Sequence, residues 1–245
     1  MNPTITLAVA GRVLRQLRRD HRTVAMLLLV PCVLLALLWW MFDRDATTFD
    51  RFGPPLLAMF PFIVMFLVTS VTTLRERSSG TLERLLSMPM AKLDLLLGYA
   101  LAFGAVALVQ ALLAVGLTVG VLGLDVAGPV WALTVVAVVD AVLGTTLGLF
   151  VSAFAETEFQ AVQFMPALVI PQILLCGLFV PRADLPTVLN AVSDVLPLSY
   201  AVDSMQRLQS SQGLGSDFWS DLGVITVFVV AMVALGAATL RRRTA

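Results

Sequence analysis

The sequence predicts an all-α integral membrane protein with six transmembrane helices, and three observations predict it. The chain of 245 residues is 59% hydrophobic and only 13% charged, with a mean hydropathy of +0.93. Soluble domains run at about 45–50% apolar and about 25% charged, so a fold of this size could not hide its apolar surface from water. The apolar residues gather into six runs, each long enough to cross a hydrocarbon core about 30 Å thick at a rise of about 1.5 Å per helical residue. Basic residues then sort to one side of those runs.

Before the first span, Leu7, Ala10, Leu14 and Leu17 recur at helical spacing, with Arg12, Arg15, Arg18, Arg19 and Arg22 around the rest. Residues 1–23 are therefore predicted as a cytoplasmic amphipathic helix lying in the membrane interface. They do not read as a signal peptide: the basic region is too long, and Trp39 and Trp40 follow the apolar run where small cleavage-site residues are needed. Residues 24–245 form the six-span domain, with spans at about 24–42, 53–74, 93–122, 129–154, 161–180 and 222–240. The third and fourth exceed the bilayer and must tilt or protrude. Gly98, Gly104, Gly116 and Gly120 of span three and Gly144 and Gly148 of span four are expected at close helix contacts. Pro166 and Pro171 are expected to kink span five.

Orientation follows from charge. With the N-terminus inside, the inner segments hold Arg12, Arg15, Arg18, Arg19, Arg22, Arg75, Arg77, Arg84, Lys92, Arg241, Arg242 and Arg243, and the outer ones only Arg44, Arg51, Arg182 and Arg207. That is 12 against 4, so both termini are placed in the cytoplasm. The Arg-for-Lys and Ala/Val/Leu bias points to a GC-rich bacterial genome, and the chain is expected in a bacterial cytoplasmic membrane.

Several functions are excluded. A net charge of zero does not suit a nucleic-acid binder. The only lysine, Lys92, is flanked by Ala91 and Leu93, so no phosphate-binding Gly-Lys-Ser/Thr loop exists and ATP cannot be hydrolysed on one. His21 is the single histidine and sits among arginines, while Cys32 and Cys176 each lie in an apolar run as packing or lipid-facing residues. No catalytic residue, metal site or cofactor is expected in this chain. Four polar residues fall within spans: Gln110, Asp140, Gln163 and Gln172. They are the candidates for an intramembrane pathway or subunit interface. Asp140, near the middle of span four, has two readings. It faces a cavity or interface, or it pairs with the Thr145 and Thr146 hydroxyls or stays protonated against a neighbouring span.

Two connections carry more than a loop needs. Inside, residues 75–92 contain a short leucine-bearing helix over about 79–88, whose Leu82, Leu85 and Leu86 either rest on the membrane or offer burial to a soluble partner, to which Glu83 and Arg84 would give direction. Outside, residues 181–221 hold Leu185, Val188, Leu189, Val192 and Leu196 at helical spacing. Pro197 interrupts them, and Leu198, Ala201, Met205 and Leu208 resume the pattern. Two short helices meeting at Pro197 are predicted to dip into the membrane as a re-entrant hairpin, or to cap the surface.

The inner connection reads Arg75-Glu76-Arg77-Ser78-Ser79-Gly80-Thr81-Leu82-Glu83-Arg84-Leu85-Leu86-Ser87-Met88-Pro89. It resembles the segment of type-2 ABC exporter permeases in which an acidic residue and Gly-Thr-Leu-Glu precede a short amphipathic helix ending at a proline. The stretch Cys176-Gly177-Leu178-Phe179-Val180-Pro181, then Asp184-Leu185-Pro186 and Leu196-Pro197-Leu198-Ser199-Tyr200-Ala201-Val202-Asp203, is similar to that family's span-five exit and outer hairpin. The resemblance covers nearly the whole chain and is nearest to the daunorubicin and multidrug-resistance branch.

The resemblance implies a permease subunit that moves a drug-like, antibiotic or other hydrophobic or lipidic substrate outward. It implies a second permease copy or paralogue, and a separate ATPase subunit carrying ATP and Mg. It further implies that Glu76, Gly80, Thr81, Leu82, Glu83, Arg84, Leu85 and Leu86 form the ATPase-coupling segment, and that Pro181, Pro186, Pro197, Tyr200 and Asp203 shape the exit. Polysaccharide or lipid-linked glycan export is the alternative within the class. A proton-coupled secondary transporter working through Asp140 would show internal repeats and paired buried charges, and neither occurs beyond that one aspartate.

Overall fold

The computed structural model describes residues 2–42, 46–80, 91–210 and 214–239, the side chains of residues 46 and 92 excepted. Among these residues every regular element is helical: α1 (Pro3–Arg19), α2 (His21–Met41), α3 (Ala46–Ser78), α4 (Lys92–Gly120), α5 (Val130–Ser152), α6 (Glu158–Leu175), a 3-10 turn at Arg182–Asp184, α7 (Thr187–Ser193), α8 (Pro197–Gln209) and α9 (Ser216–Thr239). Six of these, α2 to α6 and α9, are long and apolar enough to cross a membrane.

Local chemistry sets where the helices begin. The Asn2 side chain accepts from the Thr4 N–H and Pro3 opens α1, where its missing N–H costs nothing. Asp20 caps α2, accepting from the Thr23 N–H at 3.1 Å and the Thr23 hydroxyl at 2.6 Å, and these bonds hold its carboxyl below the ordinary value. Thr157 caps α6 by accepting from the Gln160 N–H, while the Gln160 side chain accepts from the Glu156 N–H.

The span boundaries differ from the sequence expectation in an instructive way. The second span does not stop at residue 74: α3 continues to Ser78, so Arg75, Glu76 and Arg77 are helical. It also begins before Pro54 and Pro55, at Ala46. The longest crossing element is thus α3, with 33 residues, rather than the third or fourth span. The fifth ends at Leu175, ahead of Gly177 with its φ of 89°, and the sixth begins at Ser216, which brings Asp221 inside α9.

Packing centres on α3 and α5. In these two, 56% and 61% of the most apolar window is buried, against 17% in α2, 17% in α6 and 11% in α9. These three helices leave most of their apolar surface uncovered by the rest of the chain. Two glycines let α3 and α5 touch: a Cβ on Gly144 would run into the Phe62 carbonyl, and one on Gly148 would lie 2.6 Å from the Phe66 oxygen. Both contacts advance in the same direction along the two helices, which places them parallel. Gly98 is equally crowded, with Val9 of α1 2.6 Å from its virtual Cβ. Gly116 and Gly120 meet nothing within 4 Å, so the expected contacts there are absent; Gly104 has only Val142 at 3.8 Å.

The bundle has two unlike ends. One, the α1 end, joins α1 to the end of α3, the start of α4 and the α5–α6 link. At the other, the hairpin end, α8 lies against α3 and the α4–α5 loop while α7 packs on the end of α6, where the Ser193 hydroxyl donates to the Leu175 carbonyl at 2.8 Å; the Gly128 N–H donates to the Leu208 carbonyl at 2.8 Å.

Candidate functional site

At the α1 end, three consecutive side chains bind the last turn of α3 to different neighbours. Arg75 grips Glu158 at the start of α6 through two bonds, Nε to Oε1 at 2.7 Å and Nη2 to Oε2 at 2.9 Å. Glu76 is only 4% exposed. Its Oε2 accepts from Arg12 Nη2 of α1 at 2.8 Å and from the Tyr99 hydroxyl of α4. Arg77 donates to the carbonyls of Ser152 at 2.9 Å, Ala153 at 2.8 Å and Ala155 at 2.8 Å, satisfying the otherwise unpaired end of α5. Successive residues on a helix point about 100° apart, so one turn reaches three directions.

Gly80, with φ of 71°, stands in the left-handed conformation that ends a helix, and the Ser79 and Gly80 N–H groups return to the carbonyls of Arg75 and Arg77. Ser79 therefore belongs to the stop of α3 and not to a new helix. Thr81, Leu82, Glu83, Arg84, Leu85 and Leu86 lie outside the described residues. The described part of the segment, Glu76 and Gly80, is its anchored root.

The packing of α1 revises the expected face. Its inward side is Thr6, Val9, Ala10, Val13 and Leu17, while Leu7 is 65% exposed and Leu14 is 37% exposed. The smaller residues face α4 because Gly98 admits them closely, and two leucines of the predicted stripe point away. The Asn2 N–H also donates to Asp94 Oδ1 of α4 at 3.0 Å. Burial works against the Arg12 charge, but Glu76 and Tyr99 outweigh it and hold the guanidinium above its ordinary value.

The four intramembrane polar residues are not brought together. Gln110 donates to the Leu27 carbonyl at 2.7 Å and joins α4 to α2. Gln172 donates to Leu168 of its own helix, and its Oε1 accepts from the Leu198 N–H at 3.4 Å. Gln163 is exposed on α6. Asp140 is fully buried, and neither carboxylate oxygen has a partner among the described residues. It does not pair with Thr145 or Thr146, whose hydroxyls donate to the Ala141 and Leu143 carbonyls of the same helix. Its side chain has no exposed surface in this chain.

At the hairpin end, two arginines organise four aspartates. Arg182, 15% exposed, binds Asp194 and Asp203, and its guanidinium lies 5.2 Å from the Tyr200 ring centre. Burial opposes its charge, but Asp203 and Asp194 outweigh that and raise it above its usual value. Arg207 reaches Asp217 at 3.1 Å and forms an ion pair with Asp221 at 3.3 Å that lacks hydrogen-bond alignment. Tyr200 donates to the Asp194 carbonyl at 2.7 Å. Pro186 precedes α7, Pro181 precedes the 3-10 turn, and Pro197 opens α8 at its first turn. In α8, Leu198, Ala201, Met205 and Leu208 are buried, whereas Val188, Leu189 and Val192 of α7 are exposed. A cavity of about 720 Å³ opens here, lined by Asp50, Arg51, Asp203, Gln206 and Arg207 among other residues.

Arg12, Tyr99, Arg75, Arg77, Glu158 and Arg182 carry this geometry, and none was singled out as a site residue from sequence. Apart from Tyr99, a neutral residue inside α4, their signal was present only as charge outside or at the ends of the spans.

Residues 4–209 match the family described as ABC-2 type transporter. Among curated relatives, the chain is 25% identical over 190 residues to the probable multidrug ABC transporter permease YbhR of Escherichia coli (strain K12), covering 78% of this chain and 52% of that protein. It is 27% identical over 147 residues to the probable multidrug ABC transporter permease YbhS of the same organism, covering 60% and 39%. It is 23% identical over 199 residues to ABC transporter G family member 20 of Dictyostelium discoideum, covering 79% and 27%. The chain thus spans about half the length, or less, of these relatives. With six membrane-crossing helices and a family match over most of its length, the chain is a multi-pass membrane protein of the ABC-2 type transporter family.

Proposed function

We propose that the chain is the transmembrane permease subunit of an ATP-driven exporter. It moves a drug-like, antibiotic or lipidic substrate out of the cytoplasm or its adjoining leaflet. A separate ATPase subunit hydrolyses ATP, and a second permease copy or paralogue completes the pathway. Relatives named as multidrug permeases support the substrate class. The 12-to-4 distribution of basic residues supports a cytoplasmic α1 end in a bacterial inner membrane. Residues 24–245 act as the transmembrane domain, with residues 1–23 as an appended helix.

The observation that carries this reading is the anchoring of α3 by Arg75, Glu76 and Arg77 immediately before residues 81–90. A soluble ATPase can act on this chain only through protein outside the membrane, and that segment is fixed at its root to four helices. Leu82, Leu85 and Leu86 supply its contact, with Glu83 and Arg84 supplying direction. In this reading the hairpin with Pro181, Pro186, Pro197, Tyr200 and Asp203 shapes the exit.

The test replaces Leu85 with Ala and Arg84 with Glu together and measures membrane abundance, retention of the co-expressed ATPase, and substrate-stimulated hydrolysis. Normal abundance with weakened ATPase retention and lost export is expected. Wild-type export with the ATPase still bound would overturn the coupling role.

A further inference from the structure

Four arginines crowd the bend between α1 and α2. Arg15, Arg18, Arg19 and Arg22 are all exposed, and none has an acidic partner among the described residues. Arg15 stands three and four residues before Arg18 and Arg19, so like charges neighbour one another on the surface of α1. The acids of this end are engaged elsewhere. Asp20 accepts from the Thr23 N–H and hydroxyl, Glu76 from Arg12 and Tyr99, Asp94 from the Asn2 N–H, and Glu158 from Arg75. The bend therefore carries positive charge that the chain itself does not answer.

Contacts along α4 give the height of the bend. Asn2 meets Asp94, Val9 meets Gly98 and Arg12 meets Tyr99, so α1 advances along α4 as it runs toward α2. The Leu27 carbonyl of α2 then meets Gln110, about 16 Å further along α4 than Tyr99. Asp20 lies between those two levels. There the apolar run of α2 begins: Val24 follows Arg22 by two residues, and no charged residue occurs from Val24 to Met41. A span that starts so sharply places Arg22 and the last turn of α1 at the boundary between hydrocarbon and headgroups.

The packing of α1 decides what it offers there. Val9, Ala10, Val13 and Leu17 are buried in one cluster with Leu95, Tyr99 and Phe103 of α4, so its main apolar face is already taken by protein. At the bend, what remains for lipid is charge. A guanidinium presents a fixed fork of N–H donors that matches a phosphate group. An acidic protein surface would match the charge as well, but Met26 and Leu29 of α2, 68% and 59% exposed, stand one and two turns beyond Arg22, where a membrane covers them and a soluble protein does not.

We propose that the bend between α1 and α2 binds the phosphate groups of anionic phospholipid in the leaflet that α2 enters there, through Arg15, Arg18, Arg19 and Arg22. A zwitterionic headgroup brings no net charge to the four arginines, so the site distinguishes the two. The assignment stands independently of export.

The full chain, purified in detergent and stripped of lipid, is offered phosphatidylglycerol, phosphatidylcholine of matched acyl chains, or glycerol phosphate, and retained ligand is counted by native mass spectrometry. Wild type should retain phosphatidylglycerol over phosphatidylcholine by at least about tenfold, and glycerol phosphate not at all. Arg15→Gln, Arg18→Gln, Arg19→Gln and Arg22→Gln combined should cut that preference to about twofold or less, whereas lysine at the same four positions should keep most of it. All four side chains are exposed, so neither set removes a buried contact. Should the fourfold glutamine variant fail to insert, Arg18→Gln with Arg22→Gln decides, and is expected to lower the preference at least about threefold. Wild-type preference in the glutamine variants would put the anionic lipid elsewhere and overturn the assignment; if those variants instead lose a co-expressed ATPase, the bend is a protein-docking surface. Equal retention of both lipids by wild type, or retention of glycerol phosphate as firmly as of phosphatidylglycerol, would refute a phospholipid site.

Discussion

Removing Arg12 tests whether α1 is a working part of the bundle. Arg12 is the sole charged partner of the 4% exposed Glu76 among the described residues, and Glu76 Oε1 has no partner there. In Arg12→Met the carboxylate keeps only the Tyr99 hydroxyl. Breaking a buried pair costs about 3–5 kcal/mol, and because water reaches the 28% exposed Arg12 side chain, about 2–3 kcal/mol is expected. Glu76→Met costs less, about 1–2 kcal/mol, because Arg12 can turn to water and only the Tyr99 hydroxyl is stranded. The double variant leaves no buried charge behind, so it should fall short of the sum by about 1–3 kcal/mol. Unfolding in mixed micelles with rising dodecyl sulfate, followed by tryptophan fluorescence, gives all four corners of the cycle. Additivity within about 0.5 kcal/mol would mean that the two residues do not interact and that α1 merely rests beside α3.

Other expectations follow from the same geometry. Gly148→Leu should destabilise by about 1–3 kcal/mol or prevent folding, because its Cβ meets the Phe66 carbonyl, whereas Gly116→Leu should be silent in the same unfolding assay. Arg182→Met should unlatch α7 from α8, so that a cysteine at the fully buried Ser193 becomes reactive to maleimide; unchanged protection would remove Arg182 from the latch. Asp140→Leu should leave stability unchanged or raise it, since an unpaired carboxyl in apolar surroundings is a cost; a clear loss would reveal a partner. With Cys32 and Cys176 replaced, Ser79→Cys should react with an impermeant maleimide only from the cytoplasm and Ser211→Cys only from outside.

Run length and hydropathy made the six crossings legible because lipid demands them of any helix that spans it. Their ends were less so. Arg75, Glu76 and Arg77 look like the start of a loop to a hydropathy reading, yet they stay helical because Glu158, Arg12 with Tyr99, and the end of α5 each satisfy one of them. Asp221 enters α9 for the same reason, beside Arg207. On α1, periodicity reveals an apolar stripe but cannot choose between neighbouring stripes. The choice falls to Val9 and Val13 because Gly98 lets α4 come close, and that contact links residues far apart in sequence. Asp140 was visible as an anomaly, but its lack of a partner is a property of three-dimensional surroundings alone.

The composition of α3 bears on how a push at residues 81–90 would travel. Its prolines, Pro54, Pro55 and Pro61, all lie in the half toward the hairpin end, where each removes a backbone hydrogen bond. From Pro61 to Ser78 the helix runs on without interruption for about 25 Å. Along that length it is packed backbone to backbone against α5 through Gly144 and Gly148, and at its tip it is tied to α1, α4, α5 and α6. A side-chain cap or a single ion pair could yield separately. Glu76 and Arg77 yield less readily, because displacing either strands a buried carboxylate or the carbonyls at the end of α5, while the exposed Arg75–Glu158 pair adds a weaker tie. If residues 81–90 couple to an ATPase as proposed, motion entering at Gly80 would be carried by α1, α3, α4 and α5 together, with the yielding placed at the proline half of α3, next to α8 and the hairpin-end cavity.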